Sequence, residues 1–147
     1  MLHYRAMQHK IAAPHVTGIW AKMTTVSNGI TTSAAISRHT DVDLLALYTG
    51  RANAPLDELA TLYGFPGKMG MSGAKVWDAY QDGQLADIRN YCETDVLNTW
   101  LVYLRFELMR GHIDAGRYER ETAIVQVLKA SGKSHLEDFE RAWEAGA

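Results

Sequence analysis

The chain has 147 residues, 47% of them hydrophobic and 22% charged, which is typical of one soluble globular domain with its own core. A formal net charge of -2 disfavours a protein that binds nucleic acid mainly by neutralising phosphates, although bound cations could meet the phosphates of an enzyme's substrate. The lack of a signal peptide or a membrane-length apolar run, together with a single cysteine, Cys92, predicts a cytoplasmic protein without a disulfide.

The first fifty residues give weak structural signals. Leu2, Ala6 and Met7 indicate part of a helix that no capping residue precedes. Residues 13–38 are rich in Thr, Ser, Ala and Gly, which predicts one or two weak strands or a long loop. Asp41 can cap a short helix that ends near Gly50.

Helical signals are clear from Pro55 onward. Pro55 suits the first turn of a helix whose apolar face comprises Leu56, Leu59, Ala60 and Tyr63. A Gly-rich loop over 64–73 follows, and Ser72 can cap a helix that carries Val76, Trp77 and Tyr80.

The longest helix is predicted over about 84–110. Residues 96–109 are mostly apolar, so we expect this stretch to be buried, with Cys92 in a small apolar role. Asp114 starts another helix, and Ser134 and Glu137 have the spacing of a capping box that opens the last one. The tryptophans Trp77, Trp100 and Trp143 fit core faces of these helices rather than surfaces on which bases stack.

Two residues of the long helix could carry chemistry. Tyr91 and Asp95 lie one turn apart, which places both side chains on one face of the helix. A carboxylate beside an apolar stretch is costly unless it is paired or binds a metal, so Asp95 could hold a metal ion while Tyr91 presents its hydroxyl. The alternative is structural, because Asp95 could simply pair with Arg89 or Arg105.

The Tyr91-x-x-x-Asp95 pattern resembles the third motif of the DEDD exonucleases that carry a tyrosine. The chain is similar to predicted 3'-5' exonucleases related to the exonuclease domain of family-B DNA polymerases. The strings that carry the likeness are 54–60 (APLDELA), 64–70 (GFPGKMG), 76–80 (VWDAY), 91–99 (YCETDVLNT) and 101–111 (LVYLRFELMRG). The third motif alone is a weak pattern, whereas the ordered set over about 39–145 is specific.

The resemblance implies an α/β fold of the RNase H-like exonuclease type, present here as a mostly α-helical C-terminal portion. It implies a site in which carboxylates bind Mg²⁺ or Mn²⁺, with Asp95 as a catalytic metal ligand and Tyr91 as the catalytic tyrosine that orients the attacking water. The expected substrate is the 3' end of a single-stranded nucleic acid, with DNA as the expected polymer.

The chain departs from the family pattern in its first half. No Asp-x-Glu precedes the motifs above, and Asp41 and Asp43 are better explained as a helix cap and a solvated charge than as metal ligands. We therefore expect residues 1–147 to form a single, N-terminally incomplete exonuclease-like domain. The alternative function is that of a catalytically inactive relative which acts as a helical interaction module.

Lys68 is a weaker candidate for a substrate contact. It lies among glycines that would let a phosphate backbone approach closely. Such turns also connect helices routinely, and the residues alone favour that structural explanation. A plain nucleic-acid-binding domain is disfavoured because the chain has no basic cluster.

Overall fold

The computed structural model describes residues 2–12 and 55–146, and every regular element in those ranges is helical. Short 3₁₀ turns at Gly73–Lys75 and Leu128–Ser131 join some of the α-helices. The α-helices are α1 (Leu2–Gln8), α2 (Leu56–Leu62), α3 (Val76–Gln81), α4 (Leu85–Arg110), α5 (Ala115–Val127) and α6 (Ser134–Gly146).

The long helix α4 is the centre of the fold and contacts all five other α-helices. Its second half provides Leu101, Val102, Phe106 and Met109 to the main core. Helices α1, α2, α5 and α6 and the loop after α2 cover that half with apolar side chains, because a helix that is apolar on most sides must be buried on most sides. These covering residues are Met7, Leu59, Ala60, Tyr63, Phe65, Val125 and Phe139.

Arg105 lies inside this core and ties two other helices to α4. Its guanidinium donates hydrogen bonds to the carbonyl oxygens of Met7 at 3.2 Å, Gln8 at 3.5 Å and Tyr63 at 3.2 Å. Those carbonyls belong to the C-terminal ends of α1 and α2, where the helix dipoles favour a positive charge. Burial lowers the pKa of Arg105 from its ordinary value.

Several predicted helix boundaries are confirmed. The helix expected over 84–110 is α4, and it ends where Gly111 adopts a left-handed conformation with φ of 73°. Asp114 caps α5, since its Oδ1 accepts a hydrogen bond of 2.7 Å from the backbone N–H of Arg117. Ser72 precedes the 3₁₀ turn as expected, but its side chain makes no capping hydrogen bond.

The expected α/β class is wrong for the part of the chain that the structure describes. Residues 2–12 and 55–146 contain helices and no strand or sheet. The α/β class came from the family resemblance, whereas the apolar spacing after Pro55 follows the helical period throughout. The weak strands considered within 13–38, and the short helix after Asp41, lie outside the described residues.

Four side chains expected in apolar surroundings are exposed instead. Trp77 and Val96 are each 65% exposed, Trp100 is 40% exposed and Cys92 is also exposed, so these expectations are wrong. The physical reason is that neighbouring helices cover α4 mainly from Leu101 onward, and that α3 is a short helix near one end of it. Trp143 does pack against the main core, in edge-to-face contact with Phe65 and Phe139.

None of the helices in the described ranges is long and apolar enough to cross a lipid bilayer.

Candidate functional site

The three residues singled out from the sequence line one small cleft. Tyr91 and Asp95 project from the first half of α4, and Lys68 comes from the loop after α2. The cleft has a volume of about 200 Å³, and its other walls include Asp57, Gly67, Gly73 and Asn98. The fold therefore brings together two segments that are separated in the sequence by the whole of α3.

Tyr91 and Asp95 interact directly. A hydrogen bond to the Asp95 carboxylate, followed by burial and the charge of Asp95, raises the pKa of Tyr91 above its ordinary value of 10.0. The single proton of the phenol is therefore directed at Asp95, and the lone pairs of the hydroxyl oxygen can accept a hydrogen bond from a donor in the cleft. Both side chains are half-buried, so each remains accessible from the cleft.

Arg89 and Arg105, the two arginines considered as ion-pair partners of Asp95, bind other groups. Arg89 donates to Glu93 at 3.0 Å, and Arg105 donates to backbone carbonyls in the core. The hydroxyl of Thr99 bonds the backbone carbonyl of Asp95 at 2.8 Å, a contact within the helix.

Asn98 holds the Gly-rich loop against α4. Its Nδ2 donates to the carbonyl oxygen of Gly67 at 2.6 Å, and its Oδ1 accepts from the N–H of Gly67 at 3.2 Å. The buried amide thus satisfies both backbone groups of one residue, as a neighbouring strand would. We had not predicted this role, although Asn98 lies on the same face of the helix as Tyr91 and Asp95.

Asp57 of α2 holds the same loop from the other side. Its Oδ1 accepts a hydrogen bond of 2.6 Å from the backbone N–H of Lys68. A Cβ atom added to Gly67 would lie only 2.7 Å from that oxygen, so the loop fits closely because residue 67 is a glycine. The position of Lys68 in the cleft is therefore set by two side chains from two helices.

A second and larger cleft begins on the other side of Tyr91. It has a volume of about 650 Å³ and runs between α3, the first half of α4 and the start of α6. Lys75 and His135 line it, but its titratable walls are mainly acidic: Asp78, Asp82, Asp87 and Asp138. This charge disfavours direct contact with phosphates in the larger cleft.

Glu93 joins α4 to the start of α6 beside this cleft. Its carboxylate accepts hydrogen bonds from Lys133 Nζ at 2.9 Å, His135 Nε2 at 2.7 Å and Arg89 Nε at 3.0 Å. The bonds from Lys133, His135 and Arg89 lower the pKa of Glu93 to about 2. Glu93 is thereby committed to a structural role between two helices.

The described residues do not form a complete metal site. No group of three or more His, Cys, Asp or Glu side chains within 2–12 and 55–146 is arranged to hold an ion. Asp95 offers one carboxylate to the cleft, and Asp57 already uses one oxygen on the Lys68 backbone. A two-metal centre of the kind the resemblance implies needs more carboxylates than this part of the chain supplies.

The exonuclease resemblance is confirmed by comparison with known families. Residues 1–143 match the model of the predicted 3'-5' exonucleases related to the exonuclease domain of PolB, and the chain belongs to that family. No curated protein and no solved structure matches the chain. Membership of this family indicates nucleic acid as the class of substrate.

Proposed function

We propose that this protein acts as a 3'-5' exonuclease that hydrolyses phosphodiester bonds at the 3' end of single-stranded nucleic acid, expected to be DNA. The observation that carries the proposal is the shared cleft of Tyr91, Asp95 and Lys68 in a chain of the exonuclease family. The cytoplasm is the proposed compartment, because a lone exposed cysteine suits a reducing environment.

Each of the three residues has a proposed role in the small cleft. Asp95 would contribute one ligand to a divalent ion, Mg²⁺ or Mn²⁺, and residues 2–12 and 55–146 offer no complete set of partners for it. Tyr91 donates its one proton to Asp95 and accepts a hydrogen bond from the attacking water, which it thereby orients. Lys68 offers a positive charge to the phosphate backbone at the mouth of the cleft.

A second candidate function is that of an inactive relative that works as a helical interaction module. The observation that favours it is the lack of a complete carboxylate set in residues 2–12 and 55–146. It differs from the first proposal in one measurable respect, because it predicts no hydrolysis under any metal condition.

Degradation of a single-stranded DNA oligonucleotide in the presence of Mn²⁺ tests both candidates. With a 5' label an exonuclease produces a ladder of shortened products, and with a 3' label it releases mononucleotide first. We expect Asp95→Ala to reduce the rate at least about 100-fold, since even residues that only support a metal ligand change activity by 10–100-fold. Glu119→Ala, which removes an exposed carboxylate from α5, is the matched control and should leave the rate unchanged.

The outcomes separate the candidates. A folded wild-type chain without activity would favour the interaction module. Activity that survives in Asp95→Ala would show that the site is assigned to the wrong residue.

A further inference from the structure

The backbone of the loop after α2 is held at two consecutive residues by side chains from two helices. Asn98 of α4 donates its Nδ2 to the carbonyl oxygen of Gly67 at 2.6 Å and accepts from the Gly67 N–H at 3.2 Å. Asp57 of α2 accepts the next N–H, that of Lys68, at 2.6 Å. A loop that only connects two helices can leave its backbone groups to water, so these three bonds fix Lys68 more firmly than a connection requires.

Asn98 is a polar side chain in a place where the helix is otherwise entering the core. It is 1% exposed, and the next turn of α4, with Leu101 and Val102, belongs to the main apolar cluster. A buried amide costs free energy unless its groups are hydrogen-bonded, and the backbone of Gly67 satisfies both the donor and the acceptor of Asn98. The amide therefore selects one position of the loop on α4.

The position that Asn98 selects places Lys68 in the same cleft as Tyr91 and Asp95. Asn98 follows Asp95 by about one helical turn, so the loop is anchored to the same face of α4 that carries the candidate catalytic pair. The lysine side chain is exposed, and its charge sits at the end of a flexible stem. A fixed backbone at Lys68 therefore limits the region that the ammonium can reach to the surroundings of the cleft.

We propose that Asn98 and Asp57 are positioning residues for substrate binding, which fix Lys68 so that its ammonium meets a phosphate of the nucleic-acid strand in the small cleft. This inference rests on the proposed function and deepens it by naming the residues on which the phosphate contact depends. In this role each residue acts through Lys68. Fixing the lysine backbone before the strand arrives lowers the conformational entropy that is lost on binding.

Two substitutions of Asp57 distinguish positioning from simple electrostatics. Asp57 is exposed and lines the cleft, where its negative charge repels a phosphate. If charge alone mattered, Asp57→Ala and Asp57→Asn would both tighten the binding of nucleic acid. If Asp57 positions the loop, Asp57→Ala weakens binding because the Lys68 N–H loses its acceptor. Asp57→Asn keeps an acceptor oxygen and should bind at least as tightly as the wild type.

The test is the binding of the full chain to a fluorescein-labelled thymidine oligonucleotide, followed by anisotropy in EDTA over a range of salt concentrations. Each phosphate contact on a single strand contributes about 0.7 to the slope of log K against log salt. We expect Lys68→Ala, Asp57→Ala and Asn98→Ala each to make that slope shallower by up to about 0.7. A change of that size weakens binding roughly 5-fold for each tenfold reduction of salt below 1 M.

A double variant shows whether the lysine and its support act as one unit. Asp57→Ala combined with Lys68→Ala should bind no more weakly than Lys68→Ala alone, because both changes remove the same phosphate contact. Losses that add would mean that Asp57 affects binding by a route other than Lys68.

Leu108→Ala is the control for a general loss of stability. Leu108 is buried in a separate cluster with Leu104 and Tyr118, and it lies about 15 Å along α4 from Asn98. Its truncation leaves a cavity and destabilises the fold without removing a hydrogen bond of the loop. In protein that circular dichroism shows to be folded, Leu108→Ala should leave both the affinity and the salt slope unchanged.

Several results would overturn the positioning role. These are equal or tighter binding by Asp57→Ala, an unchanged salt slope in that variant, additive losses in the double variant, unaltered binding by Lys68→Ala, or no binding by the folded wild type. Asp57 is exposed, so its substitution decides the question even if Asn98→Ala does not fold. Because the assay contains no metal, its outcome is independent of hydrolysis, and the positioning role and the proposed activity can fail separately.

Discussion

Gly67 is the residue at which the geometry of the small cleft depends most on the absence of a side chain. It adopts φ of 70°, and an added Cβ would lie 2.7 Å from Asp57 Oδ1 and 2.9 Å from Thr61 Oγ1. Replacement by alanine must therefore displace Asp57 from the backbone N–H of Lys68. We expect Gly67→Ala to lower the free energy of unfolding by about 2–3 kcal/mol, as the sum of left-handed strain and one lost exposed hydrogen bond.

Gly70→Ala provides the control for Gly67→Ala. Gly70 has a similar φ of 75°, but nothing lies within 4 Å of the position of its missing Cβ. Its replacement should cost only the backbone strain, about 1–2 kcal/mol. Urea denaturation of both variants measures the difference, and equal losses would contradict a specific contact between Gly67 and Asp57.

The sequence was enough to select Tyr91 and Asp95 as candidate site residues. It was not enough to select the residues that hold the loop beside them. A tyrosine and an aspartate one turn apart form a local pattern, and the family motif contains both. The hydrogen bonds of Asn98 and Asp57 to the loop connect positions far apart in the chain, and such pairings depend on how the helices pack. The roles of Tyr91, Asp95 and Lys68 in catalysis remain predictions, although the structure places all three in one cleft.

Between elements, Glu93 forms the ionic connection that holds the start of α6 against α4. Its pKa of about 2 in the folded chain lies below the ordinary value of 4.5 that we take for the unfolded chain. The ionised carboxylate therefore stabilises the fold fully above about pH 4.5, and this contribution is lost as the pH falls from 4.5 towards 2. We expect the stability difference between wild type and Glu93→Gln to shrink across that interval.

Thermal melts of wild type and Glu93→Gln at roughly pH 6, 4.5, 3.5 and 2.5 measure how the stability difference between the two proteins changes with pH. Glu144→Gln makes the same change of charge at an exposed position near the end of α6. It serves as the control, and its difference from wild type should vary much less with pH. A Glu93→Gln difference that stays constant between pH 4.5 and 2 would argue against the three-partner cluster.

The helices themselves were largely predictable, because their signals are local. Pro55, Asp114 and the residues around Ser134 mark helix starts, and the bounds of α4 agree with the prediction to within one residue at its start. The exposure of Trp77, Trp100 and Cys92 was not predictable in this way. An apolar stripe shows which residues could be covered, whereas the neighbouring helices determine which ones are covered.

Across the whole molecule, Arg105 connects helices that lie far apart in the sequence. It binds carbonyls of Met7 and Gln8 at one end of the chain and of Tyr63 in the middle, while its charge lies between the rings of Phe65 and Tyr118, 5.3 Å from each centroid. We expect Arg105→Ala to cost about 3–5 kcal/mol, because buried carbonyl groups lose a charged hydrogen-bond donor.

Arg117→Ala is the control for the stability loss expected of Arg105→Ala. Arg117 is exposed and pairs with Glu121 one turn away on α5, at 3.6 Å, so its loss should cost about 0.5 kcal/mol or less. Chemical denaturation of the two variants gives the comparison. Losses of similar size would mean that Arg105 does not join α1 and α2 to α4.

The α/β class expected from the family and the helices expected from the apolar spacing of the residues disagree. The family assignment was correct, and the α/β class taken from it does not describe residues 2–12 and 55–146. Helical spacing in the second half of the chain predicted what the structure contains there. Statements about strands in the family could not be transferred to a stretch whose own apolar pattern has no period of two.

Cys92 is the only cysteine of the chain, is exposed, and lies next to Tyr91 and less than one turn from Asp95. A trifluoromethyl tag on its thiol would therefore give one fluorine resonance beside the candidate site. Mn²⁺ relaxes nearby nuclear spins, so broadening of that resonance, compared between the native chain and Asp95→Ala, would report occupancy of the cleft without any turnover. The same signal, followed during titration with an oligonucleotide, would separate arrival of the strand from arrival of the ion.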